Sequence, residues 1–131
     1  MTSNFIEIKP KSIYKPFGNY SHGIMNKKTG LLLVSGQLGI DINGEIPKLF
    51  TKQAELCFLN IRSILEEAHY NLTDVLKVST FVTSRKYFKD YMKIRDRVFR
   101  KLKIKPTSTL LVVSGFTKPE FLIEIEVIAQ K

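Results

Sequence analysis

The residues able to do chemistry in this chain are few, and they sit at strand ends. Glu124 and Glu126 stand two positions apart in the run Leu122-Ile123-Glu124-Ile125-Glu126-Val127-Ile128-Ala129. Side chains of a strand alternate between its faces. Both carboxylates therefore share one face, while Phe121, Ile123, Ile125 and Val127 take the other. A carboxylate on an oily sheet is costly unless it is paired or has work to do. Other polar groups recur beside apolar strands: Tyr20-Ser21 after the Gly18 turn, Ser35-Gly36-Gln37 ending a run of leucines, and Ser108-Thr109 opening another strand. Polar groups at strand ends are the raw material of a small-ligand pocket.

Several other chemistries have no basis here. His22, His69 and Cys57 are scattered, with no Cys-x-x-Cys or His-x-x-x-His spacing, so no metal site is expected. There is no P-loop, no Gly-x-Gly-x-x-Gly and no Gly-x-Ser-x-Gly elbow. No cofactor is implied. His69 reads as a residue that ends a helix, and Cys57 as a core thiol.

The elements that must position these groups follow from periodicity. Phe5 to Ile8 reads as a short strand. Ser21 to Met25 and Leu31 to Gln37 form a hairpin around Lys27-Lys28-Thr29-Gly30. Phe50, Ala54, Cys57, Ile61, Ile64, Leu65 and Ala68 recur every three or four positions, which predicts an amphipathic helix with Gln53 and Asn60 on its polar side. Val75 to Val82 is a β-branched strand. Ser84 caps a second helix, expected to run to about Leu102 with Phe88, Tyr91, Met92, Val98, Phe99 and Leu102 inward. Pro106 marks the return to strand, and two strands close the chain. The principal order is β-β-α-β-α-β-β in one domain spanning 1–131: an α/β (α+β) two-layer sandwich, with both helices on one face of a mixed sheet.

That architecture leaves one sheet face bare, yet Leu31-Leu32-Leu33-Val34 and Leu110-Leu111-Val112-Val113 are apolar on both sides. Such runs belong where both faces are covered. More copies of the same chain are the simplest cover, so a homo-oligomer is expected with Glu124 and Glu126 at or beside its interface.

The chain carries a net charge of +9, and 10 of its 21 basic residues lie between Arg85 and Lys105. Lys86, Lys89, Lys93, Arg97 and Arg100 make a stripe at helical spacing. No aromatics interleave with it to stack bases, so a solvated helix face is the better reading than a nucleic-acid surface. A single cysteine, no signal-like run in Met1 to Lys9 and no membrane-length apolar stretch lead to the expectation of a cytoplasmic protein without a membrane partner.

Six segments in order resemble the Rid (YjgF) family of enamine/imine deaminases. They are Gly18-Asn19-Tyr20-Ser21, Val34-Ser35-Gly36-Gln37, the helix positions Gln53, Asn60 and Ile61, Asp74-Val75-Leu76-Lys77, Thr80-Phe81-Val82, and Ile123 to Ala129. The resemblance implies a chorismate-mutase-like fold, a homotrimer, and ligand pockets between subunits. It makes Glu124 the catalytic residue that activates the attacking water, which is general acid–base work helped by a raised pKa. Tyr20, Ser35, Ser108 and Thr109 become ligand-binding positions. The family's carboxylate-gripping arginine falls at Ser108, so the chain resembles an arginine-lacking branch in which the usual activity on 2-imino acids is not expected. Losing such a charge-assisted fork costs about 2–5 kcal/mol where its partner charge is buried. Lys105 or Lys118 is a possible substitute cation. A non-catalytic metabolite-binding or regulatory trimer is the alternative, with RNA binding or cleavage a more distant third.

Overall fold

A computed structural model describes residues 3–131; the first two positions of the N-terminal segment lie outside it. The order is β1 (Phe5–Ile8), β2 (Gly23–Asn26), β3 (Leu31–Leu38), α1 (Phe50–Glu67), β4 (Val75–Val82), α2 (Phe88–Val98), β5 (Thr107–Val112) and β6 (Ile123–Gln130), with 3₁₀ turns before β4 and α2. The N-terminal strand is thus a full member of the sheet. The six strands lie in the order β1-β2-β3-β6-β4-β5. Only β4 and β5 run parallel; the other pairs are antiparallel. β6 enters between β3 and β4, so the strand carrying the paired glutamates is central.

One sheet face packs on the helices. Leu32 and Val34 of β3, Val78 and Val82 of β4, and Ile123, Ile125, Val127 and Ala129 of β6 are buried with Ala54, Cys57, Ile61 and Ile64 of α1. α2 joins the same layer: Tyr91 donates its hydroxyl proton to, or accepts one from, Thr80 at 2.5 Å, and Phe58 of α1 lies against Tyr91 and Phe99. The other face is open and still apolar in part, with Leu33 48% and Leu111 51% exposed. The two-faced apolar runs of the sequence are explained this way: half of each is uncovered.

Three expectations need correction. Gln53 and Asn60 are buried rather than facing solvent. Gln53 Nε2 donates to the carbonyls of Pro47 (2.8 Å) and Glu120 (2.9 Å), and its Oε1 accepts from Leu122 N (2.9 Å). Asn60 Nδ2 donates to the carbonyls of Leu38 and Ile40. Both amides satisfy loop backbone that would otherwise be buried without partners. α2 stops at Val98, not Leu102, and its inward side carries Ile94, while Met92 faces out. Past that end, Lys105 Nζ donates to the carbonyls of Phe99, Arg100 and Leu102, so a lysine replaces the missing last turn.

His69 holds φ 63 just after α1. Its N–H bonds Glu66 O and the Tyr70 N–H bonds Leu65 O, a Schellman closure. The histidine ends a helix, as its position suggested. Cys57 is fully buried, and burial pushes its thiol pKa well up.

Candidate functional site

The strand β3 is irregular where it matters. Val34 pairs with Val127, yet Gln37 pairs with Ile125, so Ser35 and Gly36 together oppose Glu126. This extra residue is a β-bulge, a device that re-aims side chains. Gln37 is turned inward by it and is buried. Its Nε2 lies 3.2 Å from His22 Nδ1 and donates to Ser35 O at 3.1 Å. His22 Nε2 lies 2.8 Å from the Tyr14 carbonyl, which can only accept. That contact requires a proton on Nε2, and the Gln37 amide lies against the other ring nitrogen. Ser35 is pinned as well, its N–H on His22 O and its hydroxyl on Ser21 O at 2.5 Å.

Gly36 is needed for closeness rather than for an unusual backbone angle. A Cβ there would lie 2.6 Å from Glu124 Cδ and 2.9 Å from Oε1. The Glu124 carboxylate thus rests directly on the glycine of the bulge. Around it, Phe17, Tyr20, Ser35, Leu38 and Thr117 enclose a cavity of about 400 Å³. A second cavity of about 420 Å³ adjoins it, sharing Tyr20 and Ser35 and reaching Glu126. The Tyr20 hydroxyl accepts from Phe17 N at 3.1 Å, leaving its own proton free for a ligand.

Glu124 is half-buried, and burial raises its pKa above the usual carboxylate range; the like charge of Glu126 raises it further. Among the described residues, no lysine, arginine or histidine lies within salt-bridge distance of it. A carboxyl of this kind holds its proton more readily than a surface glutamate does. A raised carboxyl of this kind is the chemical type used for general acid–base work.

Tyr20, Ser35 and Glu124 are brought together within one chain; Ser108 and Thr109 are not. Ser108 pairs with Val78 and Thr109 with Ser79, so neighbouring residues of β5 look to opposite faces. Thr109 looks to the open face, in the cross-strand row of Ser79 and Glu126. Ser108 looks to the helix layer, where its Oγ accepts from Arg95 Nη1 of α2 at 3.3 Å. It lines a separate cavity of about 360 Å³ with Val78, Arg95, Asp96, Phe99, Lys105 and Pro106. Lys105 is committed to the end of α2, and Lys118 is exposed on the loop beside Thr117, so neither stands across from Glu124. Gly36, Phe17 and Thr117 were not singled out as pocket residues from the sequence. Arg95 was not either, although it lies one helical turn beyond the inward Tyr91. The stripe residues Lys86, Lys89, Lys93, Arg97 and Arg100 are all exposed. No helix among the described residues is long and apolar enough to cross a membrane.

This geometry has close counterparts. A RutC family protein of Aquifex aeolicus is 32% identical over 126 residues, covering 95% of this chain and 98% of that one. The structure of RidA from an Antarctic Psychrobacter matches with a TM-score of 0.87 at 28% identity, over 96% of this chain and 99% of that one. Escherichia coli TdcF, solved with bound serine, matches with a TM-score of 0.88 at 25% identity, over 96% and 98%. The family described as Endoribonuclease L-PSP matches residues 11–131, and the chain belongs to it, the family of the RutC, YjgF and Rid proteins.

Proposed function

We propose that this chain hydrolyses small enamines or imines with release of ammonia, in a pocket closed by a neighbouring copy in a homotrimer. The observation that carries the reading is Glu124: a half-buried carboxylate seated on Gly36, raised in pKa, with no cation of the described residues within salt-bridge distance. Ionised Glu124 takes a proton from water as the water oxygen attacks the carbon of the N-protonated imine (an enamine first taking a proton on carbon), giving a neutral carbinolamine. Glu124 returns that proton to the nitrogen, the C–N bond breaks to release ammonia, and the hydroxyl proton passes to it, leaving the carbonyl compound and ammonium. Tyr20 and Ser35 are placed to hydrogen-bond the ligand. Within one chain Ser108 and Glu124 occupy opposite faces of the sheet. A pocket holding both is therefore built from two copies, which the apolar open face favours.

The test is hydrolysis of 2-iminobutanoate generated by a threonine dehydratase. Acceleration over buffer on this or on a carboxylate-free imine is expected in the wild type and not in Glu124→Gln. A wild type no faster than buffer on this and on carboxylate-free imines would overturn the reading. The second reading, a metabolite-binding or regulatory trimer, is favoured by the serine bound in TdcF, a relative that resembles this chain over nearly its whole length. Stabilisation by amines or amino acids without any hydrolysis would select it. RNA cleavage has only the exposed basic stripe behind it, and binding that survives high salt unchanged would contradict its electrostatic basis.

A further inference from the structure

We propose that Arg95 and Ser108 together form a carboxylate-binding subsite, with the cation supplied by α2 where β5 carries only a hydroxyl. The proposal deepens the hydrolase reading and rests on it for the nature of the acid: a short-chain 2-imino or 2-oxo acid.

The guanidinium is held in place from three sides. Its Nε and Nη2 donate to Asp96 Oδ1 at 3.1 and 3.0 Å. Its Cζ lies 5.8 Å from the centre of the Tyr91 ring, and that ring is anchored by Thr80. Nη1 is left to reach Ser108 Oγ at 3.3 Å. The Arg95 side chain is only 24% exposed, whereas that of Asp96 is 70% exposed. The arginine is thus fixed in the cavity wall while its counter-ion lies toward water.

Ser108 extends this donor. Its oxygen accepts from Arg95, which leaves its hydroxyl proton for a ligand and polarises it. One carboxylate can then accept from Nη1 and from the Ser108 hydroxyl at once, a charge-assisted pair of bonds. Lys105 adds positive charge to the same cavity, but its three ammonium protons are spent on the carbonyls past α2. Val78, Phe99 and Pro106 supply the apolar wall for a short aliphatic chain. The cavity opens beside β5, the edge strand of the sheet.

Binding is read by calorimetry or NMR titration with 2-oxobutanoate, a stable carbonyl analogue of the imino acid, and with its neutral amide. The acid is expected to bind the wild type more tightly than the amide. Arg95→Gln should weaken the acid about tenfold or more, the usual loss for a charge-assisted contact, and leave the amide unchanged. Arg95→Lys, which keeps the charge but not the fork, should recover part of it, and Asp96→Asn should tighten it. Arg97→Gln, an exposed site on the same helix, should change nothing. Equal binding of acid and amide, or equal behaviour of the Arg95→Gln and Arg97→Gln variants, would overturn the subsite. The two readings fail separately. If Arg95→Gln hydrolyses 2-iminobutanoate with an unchanged KM, the subsite falls and the hydrolase stands. If Glu124→Gln retains full hydrolysis while Arg95→Gln loses acid binding, the subsite stands and the role of Glu124 falls.

Discussion

Replacing Glu124 by glutamine should stabilise the protein while removing its proposed chemistry. The folded-state pKa of Glu124 lies above its unfolded value because burial and Glu126 both disfavour the charged form. For such a group, stability is fully present below the unfolded pKa and is lost as pH rises through the folded pKa. The wild type is therefore penalised at neutral and alkaline pH, and the isosteric amide is not. The repulsive part can be sized. Residues two apart on one strand face are separated by about 6.7 Å. Unit charges at that distance repel by about 0.6 kcal/mol in bulk water and about 2.5 kcal/mol at an effective dielectric of 20. Glu126 is exposed and Glu124 half-buried, so about 1 kcal/mol is the reasonable share. A chain of 131 residues has an unfolding entropy of about 0.28 kcal/mol/K, so the shift in Tm is about 3–4 °C. Thermal unfolding is followed at pH 4 and pH 8 at one fixed protomer concentration, because the proposed assembly would make Tm concentration-dependent. Glu124→Gln should melt higher than the wild type at pH 8, with the gap closing at pH 4, and should lose about a hundredfold or more in hydrolysis. A variant that melts lower at pH 8 would refute the reasoning, since it would mean that the carboxylate is paired with a cation in the assembled protein.

Three further outcomes follow from contacts already described. Gly36→Ala places a methyl on the Glu124 carboxylate; the flexible carboxylate must yield, so activity should fall by about tenfold or more with less than about 1 kcal/mol lost in a urea titration. Gln53→Leu strands the Leu122 N–H and the carbonyls of Pro47 and Glu120; about 3 kcal/mol of stability should go, read as a lowered urea midpoint with an unchanged slope. Cys57, buried and raised in pKa, should resist a thiol reagent in the native protein and react fully once denatured, with rapid native labelling the contrary result.

The elements were legible because their periods are strong. The stripe from Phe50 to Ala68 and the alternation from Ile123 to Ala129 need no tertiary information. The errors share one cause, which is that burial can be decided by backbone lying elsewhere in the chain. Gln53 and Asn60 read as solvent-facing by type, yet loop carbonyls from Leu38 to Glu120 draw them inside. The same effect hid Arg95. It shares the helix side of Tyr91 and Ile94, and a charge on an apolar stripe was a signal available in the sequence. The bulge at Ser35-Gly36 could not be read, because register belongs to a pair of strands and not to one.

Glu124 would also link the proposed assembly to the proposed chemistry. Carrying it into an interface would dry it further and raise its pKa again, which opposes association. Leu33 and Leu111 lie on the same open face with about half their surface in water. Burying the remainder returns about 1 kcal/mol from each. Ile24, Phe81 and Ile128 share that face and are partly exposed. This apolar face would drive association against that cost, so the proposed trimer would hold the carboxylate in a raised-pKa state without a cation to match it. In the proposed trimer, a neighbouring copy that brought its β5 and α2 edge to the pocket would supply Ser108 and Arg95 to the ligand's carboxylate. Glu124 would then keep its affinity for protons, with the guanidinium meeting the substrate rather than neutralising the base.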